Sequence, residues 1–231
     1  MSKLEEISAY WDTRSEGYNK TIHDQMKTSY NYYYELLKNY MPTNNCQSLD
    51  LGCGPGFFSM ILSDLGCKVN GIDCSKGMLD KACDNCKGCE FILGDVQQLP
   101  YEDNSFDYIV SRNVIWDLEN PKQCYDEIKR VLKDDGVLLI MDGNHYLYYF
   151  NNDYLEAEKE LNGLHPHNCY GVKTKVIDDI AYYLPLSKCE RPHWDLNYLK
   201  SIGIKNLQSS VTYKEYGKKK VISDFVIVGE K

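Results

Sequence analysis

No apolar run among the 231 residues approaches the roughly 20 needed to span a bilayer as a helix. The polar opening, Met1 to Glu6, lacks the apolar centre of a secretory signal. Both absences argue against membrane insertion and export, and the expectation is a cytoplasmic protein. Positive charge is also in short supply. Lys and Arg total 26 against 34 Asp and Glu, a net charge of −8, and the only basic run is Lys218-Lys219-Lys220, read as a solvated hairpin tip. An acidic surface repels phosphate backbones, so neither nucleic acid nor a membrane is expected as partner. No internal repeat or low-complexity segment stands out. The length then allows one large domain, or one domain with an inserted cap.

Cysteine is plentiful, at ten. In a secreted chain that number would suggest disulfides, but nothing marks this chain as secreted. Cys83, Cys86 and Cys89 form C-x-x-C-x-x-C, with Cys74 upstream. The spacing matches neither zinc nor ferredoxin patterns, so these residues are expected to act as small apolar side chains, and no metal is expected. The group His165-Pro166-His167-Asn168-Cys169 is read as a surface loop rather than a metal site.

Strand-like and helix-like segments alternate along much of the chain. Residues 4–40 read as helices rich in aromatics. Strands follow at 47–51, 68–72, 90–93, 106–111 and 136–141, with helices near 56–65, 76–85, 114–118 and 121–133 between them, the last closed by a turn at Asp134-Asp135-Gly136. This alternation predicts an α/β fold with a mostly parallel sheet covered on both faces. The pattern breaks over 144–193, where tyrosines and histidines concentrate, and this stretch is read as an inserted cap. A helix near 194–202 and strands near 206–213 and 221–229 complete the chain, the last pair joined as an antiparallel hairpin.

The most informative stretch is Ser48-Leu49-Asp50-Leu51-Gly52-Cys53-Gly54-Pro55-Gly56-Phe57. An apolar strand enters a turn with glycine at alternate positions, and a helix begins at once. Glycine lets the backbone turn sharply and lets a ligand lie against it, and the helix start offers free N–H groups to that ligand. The dinucleotide fingerprint G-x-G-x-x-G would need a third glycine where Phe57 stands. A nicotinamide oxidoreductase is therefore disfavoured. Asp73 ends the second strand, where an acid accepts hydrogen bonds from both hydroxyls of a ribose, or alternatively caps the next helix. Gly94-Asp95-Val96-Gln97-Gln98-Leu99-Pro100 follows the third strand, a pattern a dehydrogenase does not need.

These residues resemble, in order, motifs of the class I S-adenosylmethionine (SAM)-dependent methyltransferases: D-L-G-C-G-x-G, the acid at 73, and G-D-A-x-x-L-P-F. Tyr10-Trp11-Asp12-Thr13-Arg14-Ser15-Glu16-Gly17-Tyr18 is similar to F-W-x-x-R-A-x-x-Y of the same family. The resemblance covers most of 8–143 and, more weakly, 194–229. The closest subgroup includes enzymes acting on small molecules such as quinone precursors. It implies a Rossmann-like seven-stranded sheet with an antiparallel last strand. It also implies a single domain divided into a helical lid (1–40), a SAM-binding core (41–143), a substrate cap (144–193) and a C-terminal helix with strands (194–231). By the same resemblance SAM is the cofactor, S-adenosylhomocysteine the product and a small molecule the acceptor. Asp95 then takes the adenine amine, Val96 packs on the ring, and Asp50 belongs to the methionine end. Tyr18 closes over that end and Arg14 pairs with its carboxylate. Gly52, Cys53, Gly54, Gly56, Cys74, Met78, Ser111 and Asn113 complete the implied cofactor contacts.

The donor's methyl group is already activated, so alignment carries most of the chemistry, and a base is needed only for a protonated nucleophile. No catalytic triad is expected. The chain lacks the [D/N]-P-P-[Y/F] of enzymes that methylate DNA or glutamine amides. Where related small-molecule enzymes often have a histidine, it carries Trp116-Asp117. His145, Tyr146 and Tyr18 are the candidates for a base or a substrate anchor. Arg191-Pro192-His193-Trp194-Asp195 either closes the pocket or caps the next helix. The contrasting reading is a SAM-binding regulatory protein that performs no chemistry.

Overall fold

The computed structural model describes residues 2–163 and 170–231. His165, His167 and Cys169 lie outside the described residues. The chain opens with one long helix, α1 (Lys3–Tyr40). Ser2 starts it with a reciprocal cap: its Oγ accepts from the Glu5 N–H, and Glu5 accepts from the Ser2 N–H. There follow β1 (Gln47–Leu51), α2 (Phe57–Asp64), β2 (Lys68–Asp73), α3 (Lys76–Asn85), β3 (Glu90–Leu93) and β4 (Phe106–Arg112). A single 3-10 turn at Ile115–Asp117 leads to α4 (Pro121–Val131) and β5 (Leu132–Gly143). Between β5 and the end of the chain lie α5 (Asn152–Glu160), α6 (Lys175–Ala181), α7 (His193–Ser201), β6 (Lys205–Tyr216) and β7 (Lys219–Glu230).

The sheet runs β3-β2-β1-β4-β5-β7-β6. The first five strands are parallel, β7 is antiparallel to β5, and β6 is antiparallel to β7. Strand side chains alternate between faces, and each face has its own core. Leu49, Leu51, Ile109, Leu138, Ile140 and Ile227 pack with Tyr125 and Ile128 of α4 and Leu199 of α7. Tyr108, Val110, Leu139, Val226 and Val228 pack with Ile22 and Leu37 of α1 and Phe57, Phe58 and Ile61 of α2. Covering on both faces explains why these strands are apolar throughout.

Three local outcomes differ from the sequence expectation. The helical region 4–40 is continuous. The turn expected at 134–136 lies inside β5: Phe106 pairs with Leu132 and Tyr108 with Val137, so the intervening residues bulge out, and Asp135 takes φ +62°. Cys86 and Cys89 are joined by a disulfide rather than free, because the turn ending α3 folds Cys89 back towards Cys86; Cys83 stays free and exposed. Among the described residues no helix is long and apolar enough to cross a membrane.

Strand order reverses at β1, which has β2 on one side and β4 on the other. A parallel sheet of this kind opens a crevice at the carboxyl ends of its strands where the order reverses. The N-terminal half of α1 lies across that crevice and is pinned there by four hydrogen bonds. Asp12 Oδ1 accepts from Ser75 Oγ (2.6 Å) and the Gly77 N–H (2.8 Å), Ser8 Oγ donates to the Cys74 carbonyl (2.8 Å), and Trp11 Nε1 donates to Asp117 Oδ2 (2.8 Å). The Asp12 carboxylate thereby sits at the positive end of α3.

Candidate functional site

The glycine turn forms the floor of the crevice. The Gly52 and Cys53 N–H groups both donate to the Ile72 carbonyl, which ties the turn to β2. Gly52 has φ +68°, and a Cβ there would lie 2.3 Å from Val114 Cγ2. Any side chain at 52 would therefore be strained and would press into the cavity wall.

Asp73 is fastened to the same turn. Its Oδ2 accepts from the Gly54 N–H (2.8 Å) and its Oδ1 from the Ser75 N–H (2.9 Å). The helix-cap reading of Asp73 is corrected: Ser75 is the N-cap of α3, its Oγ accepting from the Met78 N–H, while Asp73 braces the turn before it and lines the cavity. Burial pushes its pKa up to about 6, against the lowering effect of the two N–H groups. Asp95 lines the cavity after β3, and Gln97 orients it: the Gln97 N–H and Nε2 both donate to Asp95 Oδ1, while Gln97 Oε1 accepts from the Asn120 N–H. Val96, beside it, is buried and lines the same cavity.

At the inner end, a small recess is lined by Asp50, Cys53 and Arg112 together with Gly52, Gly54 and Tyr18. Asp50 is buried and accepts from Ser59 Oγ at 2.7 Å; burial pushes its pKa up to about 7. Arg112 stacks over Tyr33 and Phe57, and its Nη2 donates to Gln25 Oε1. Asp117 also lines the main cavity, with a pKa raised by burial to about 7.

A second cavity, of about 300 Å³, adjoins the first and shares Trp11, Tyr18 and Asn113 with it. Its walls include Tyr10, Trp116, Tyr146, Tyr148 and Ile177, and its polar groups include Arg14, His145, Glu158 and Asp178. A buried charge network backs it. Arg191 Nη1 donates to Asp142 Oδ2 (2.7 Å), and its Nε and Nη2 donate to Asp195 (2.9 and 2.6 Å). Asp142 in turn accepts from the Trp116 N–H and lies 3.4 Å from His145 Nε2. Burial works to raise the Asp142 pKa, but Arg191 and His145 hold it below the usual carboxylate range.

Of the residues singled out in the sequence, Tyr18, Gly52, Gly54, Asp73, Cys74, Met78, Asp95, Val96 and Asn113 line the first cavity. Asp50 and Cys53 line only the inner recess. His145 and Tyr146 line the second cavity, with Tyr18 at the boundary. Three others lie away from the first cavity. Arg14 lines the second cavity and not the first, because its position on α1 faces the segment after β5. Ser111 is fully buried and lines neither cavity; its hydroxyl donates to the Leu51 carbonyl, a brace between β4 and β1. Gly56 caps α2 with φ +88° and packs against Ala82, so it shapes the turn without lining either cavity. Gln97, Arg112 and Asp117 were not anticipated as lining residues. Asp117 and Arg112 sit next to the end of β4, where a parallel sheet presents its ligand-facing residues, and that position was the available signal.

Comparison with known proteins follows the same outline. A family model described as a methyltransferase domain matches residues 49–140. An uncharacterised protein of Methanocaldococcus jannaschii is 28% identical, over 90% of this chain and 87% of its own. The malonyl-[acyl-carrier protein] O-methyltransferase of Serratia marcescens is 34% identical over 40% of this chain, a match that spans 36% of that enzyme. A crystal structure from Methanococcus maripaludis, described as an S-adenosyl-L-methionine-dependent methyltransferase, has a TM-score of 0.59 at 22% identity, covering 95% of this chain and 94% of that one. At that identity the structural likeness speaks for the fold.

Proposed function

Since the chain belongs to the class I methyltransferases that use SAM as cofactor, we propose that it transfers the SAM methyl group to a small-molecule acceptor held in the second cavity. The observation that carries this reading is the junction of two cavities across Trp11, Tyr18 and Asn113, one lined by the glycine turn, Asp73 and Asp95, the other walled largely by aromatic rings. SAM held there would supply an activated methyl group: the carbon–sulfur bond would break as the acceptor–carbon bond forms, with the electron pair of the broken bond left on sulfur.

The chain's own residues do the rest. Asp73 accepts from the ribose hydroxyls, and Asp95, held by Gln97, accepts from the adenine amine while Val96 packs on the ring. Asp50 and Arg112 offer a carboxylate and a guanidinium at the inner end, complementary to the ammonium and carboxylate of a methionine moiety. A neighbouring cation would hold Asp50 ionised despite its burial. Tyr18 closes over Gly54, its ring 3.8 Å from where a Cβ would stand. His145, with Asp142 behind it, is the general base wherever the acceptor's nucleophile carries a proton. Alignment of the two reactants supplies on the order of 7–11 kcal/mol in favourable cases.

Calorimetry with SAM and S-adenosylhomocysteine, followed by turnover to S-adenosylhomocysteine across a metabolite panel, tests this. Binding with turnover is expected. Binding without turnover across the panel would favour a regulatory SAM-binding protein, and no binding at high micromolar SAM would end the proposal. Gln97→Leu removes the donors that orient Asp95 and is expected to weaken S-adenosylhomocysteine by about 1 kcal/mol, roughly fivefold. Undiminished affinity would detach Gln97 from the adenine end.

A further inference from the structure

We infer that the second cavity accepts an aromatic carboxylic acid, with Arg14 as the group that recognises its carboxylate; the inference rests on the reading of the first cavity as the SAM site. Arg14 projects from the buried face of α1 and is only 3% exposed. Its Nε and Nη1 have no hydrogen-bond partner among the described residues. A guanidinium held out of water with donors left unpaired is costly, because those donors have given up their hydration for nothing in return. A cavity that keeps a cation in that state has a strong preference for an anion.

The other charged groups in the cavity are already engaged. Asp178 accepts from the Tyr146 hydroxyl at 3.2 Å, Glu158 has a partner of its own, and His145 stands 3.4 Å from Asp142. Among the described residues Arg14 is therefore the charged group of this cavity with donors left to meet a ligand. The walls select the rest of the molecule. Trp116 and Tyr146 lie with ring centroids 5.2 Å apart and tilted by 32°, while Trp11 meets Tyr18 edge-on at 5.8 Å. Such surfaces take a flat apolar ring well, and a planar guanidinium matches a carboxylate in shape as well as charge. A volume of about 300 Å³ is at the small end of ligand cavities, which suits a single ring with a short acidic arm.

The test uses phenylacetate and its amide, phenylacetamide, as probes on the full chain loaded with S-adenosylhomocysteine, with Arg14→Met alongside. By calorimetry the acid is expected to bind wild-type protein at least tenfold more tightly than the amide. Arg14→Met is expected to abolish that preference while S-adenosylhomocysteine affinity stays within twofold. Equal binding of acid and amide, or binding of neither, overturns the inference using wild-type protein alone. A tenfold loss of S-adenosylhomocysteine affinity in Arg14→Met also overturns it, because Arg14 would then serve the methionine carboxylate. Failure of wild-type protein to bind S-adenosylhomocysteine at all is a separate result: it removes the reading of the first cavity, and this inference with it.

Discussion

Arg191→Leu is expected to destabilise the folded chain by about 3–5 kcal/mol, because it leaves buried carboxylates without their counter-charge. Arg191 is 1% exposed and is shared between Asp142 and Asp195, both fully buried. Tyr125 adds a hydroxyl to Asp195, and Asn144 brackets the Arg191 backbone with bonds to both its N–H and its carbonyl. In a domain of this size the loss corresponds to a fall in Tm on the order of 10 °C. The pH dependence gives a second readout. Asp142 has a folded-state pKa below its ordinary value, so it contributes stability that is present above that ordinary value and lost as pH falls through the folded one. Without Arg191, burial acts on Asp142 with less opposition and favours its protonated form. The deficit of the variant should then be larger at pH 8 than at pH 5. Thermal unfolding of both proteins at the two pH values checks this, and a pH-independent deficit below 1 kcal/mol would show that the network is not a charge-compensated unit. The same substitution loosens Trp116 and His145, which Asp142 holds at the wall of the second cavity.

Asp73→Ala is expected to weaken SAM by about 1–3 kcal/mol, roughly 5- to 150-fold, since the ribose hydroxyls lose a charged acceptor and the Gly54 N–H loses its partner. Here too pH separates the causes. Burial raises Asp73 to about 6 and Asp50 to about 7 in the free protein. Below those values the carboxyls are protonated, and a ligand that presents hydroxyl donors and cations to them binds less well. SAM affinity of the wild type should fall as pH drops from 8 towards 5, approaching tenfold per unit for each group that must ionise. The ligand-free protein should show the opposite trend. A carboxyl whose folded pKa is raised holds more protons folded than unfolded between about pH 4 and 7, so its contribution to stability decreases as pH rises through that window. In Asp73→Ala the step in SAM affinity near pH 6 should vanish and the step near pH 7 remain. A dissociation constant that is flat from pH 8 to 5 would remove both carboxylates from the binding surface.

Much of the first cavity was legible in the chain because its chemistry is local. The glycine turn, Asp73 and Asp95 each end or follow a strand within a few residues of their motif, and a parallel sheet brings strand ends to one edge whatever else the chain does. The strand at 47–51 and the helix at 76–85 were bounded correctly for the same reason: apolar runs with a turn or a Ser75 cap beside them state their own limits. Arg14 was legible as a member of a helical face and, by resemblance, as a cofactor contact, but not as a residue of the second cavity. Which cavity that face meets depends on how α1 is pinned by Asp12, Ser8 and Trp11 to partners more than 60 residues away. Arg191 illustrates the limit from the other side. Its neighbours suggested a pocket rim or a helix cap, whereas the fold turns it inward to meet Asp142, 49 residues earlier in the chain.

The sequence by itself determined the first cavity of this protein: the glycine turn, Asp73 and Asp95 belong to short patterns whose backbone consequences are fixed by glycine conformation and strand direction. The second cavity was decided only in three dimensions. Its walls come from α1, the turn at 115–117 and the segment after β5, which meet through long-range packing, and Arg14, whose Nε and Nη1 have no hydrogen-bond partner among the described residues, carries meaning only once burial has removed the water that would otherwise satisfy it.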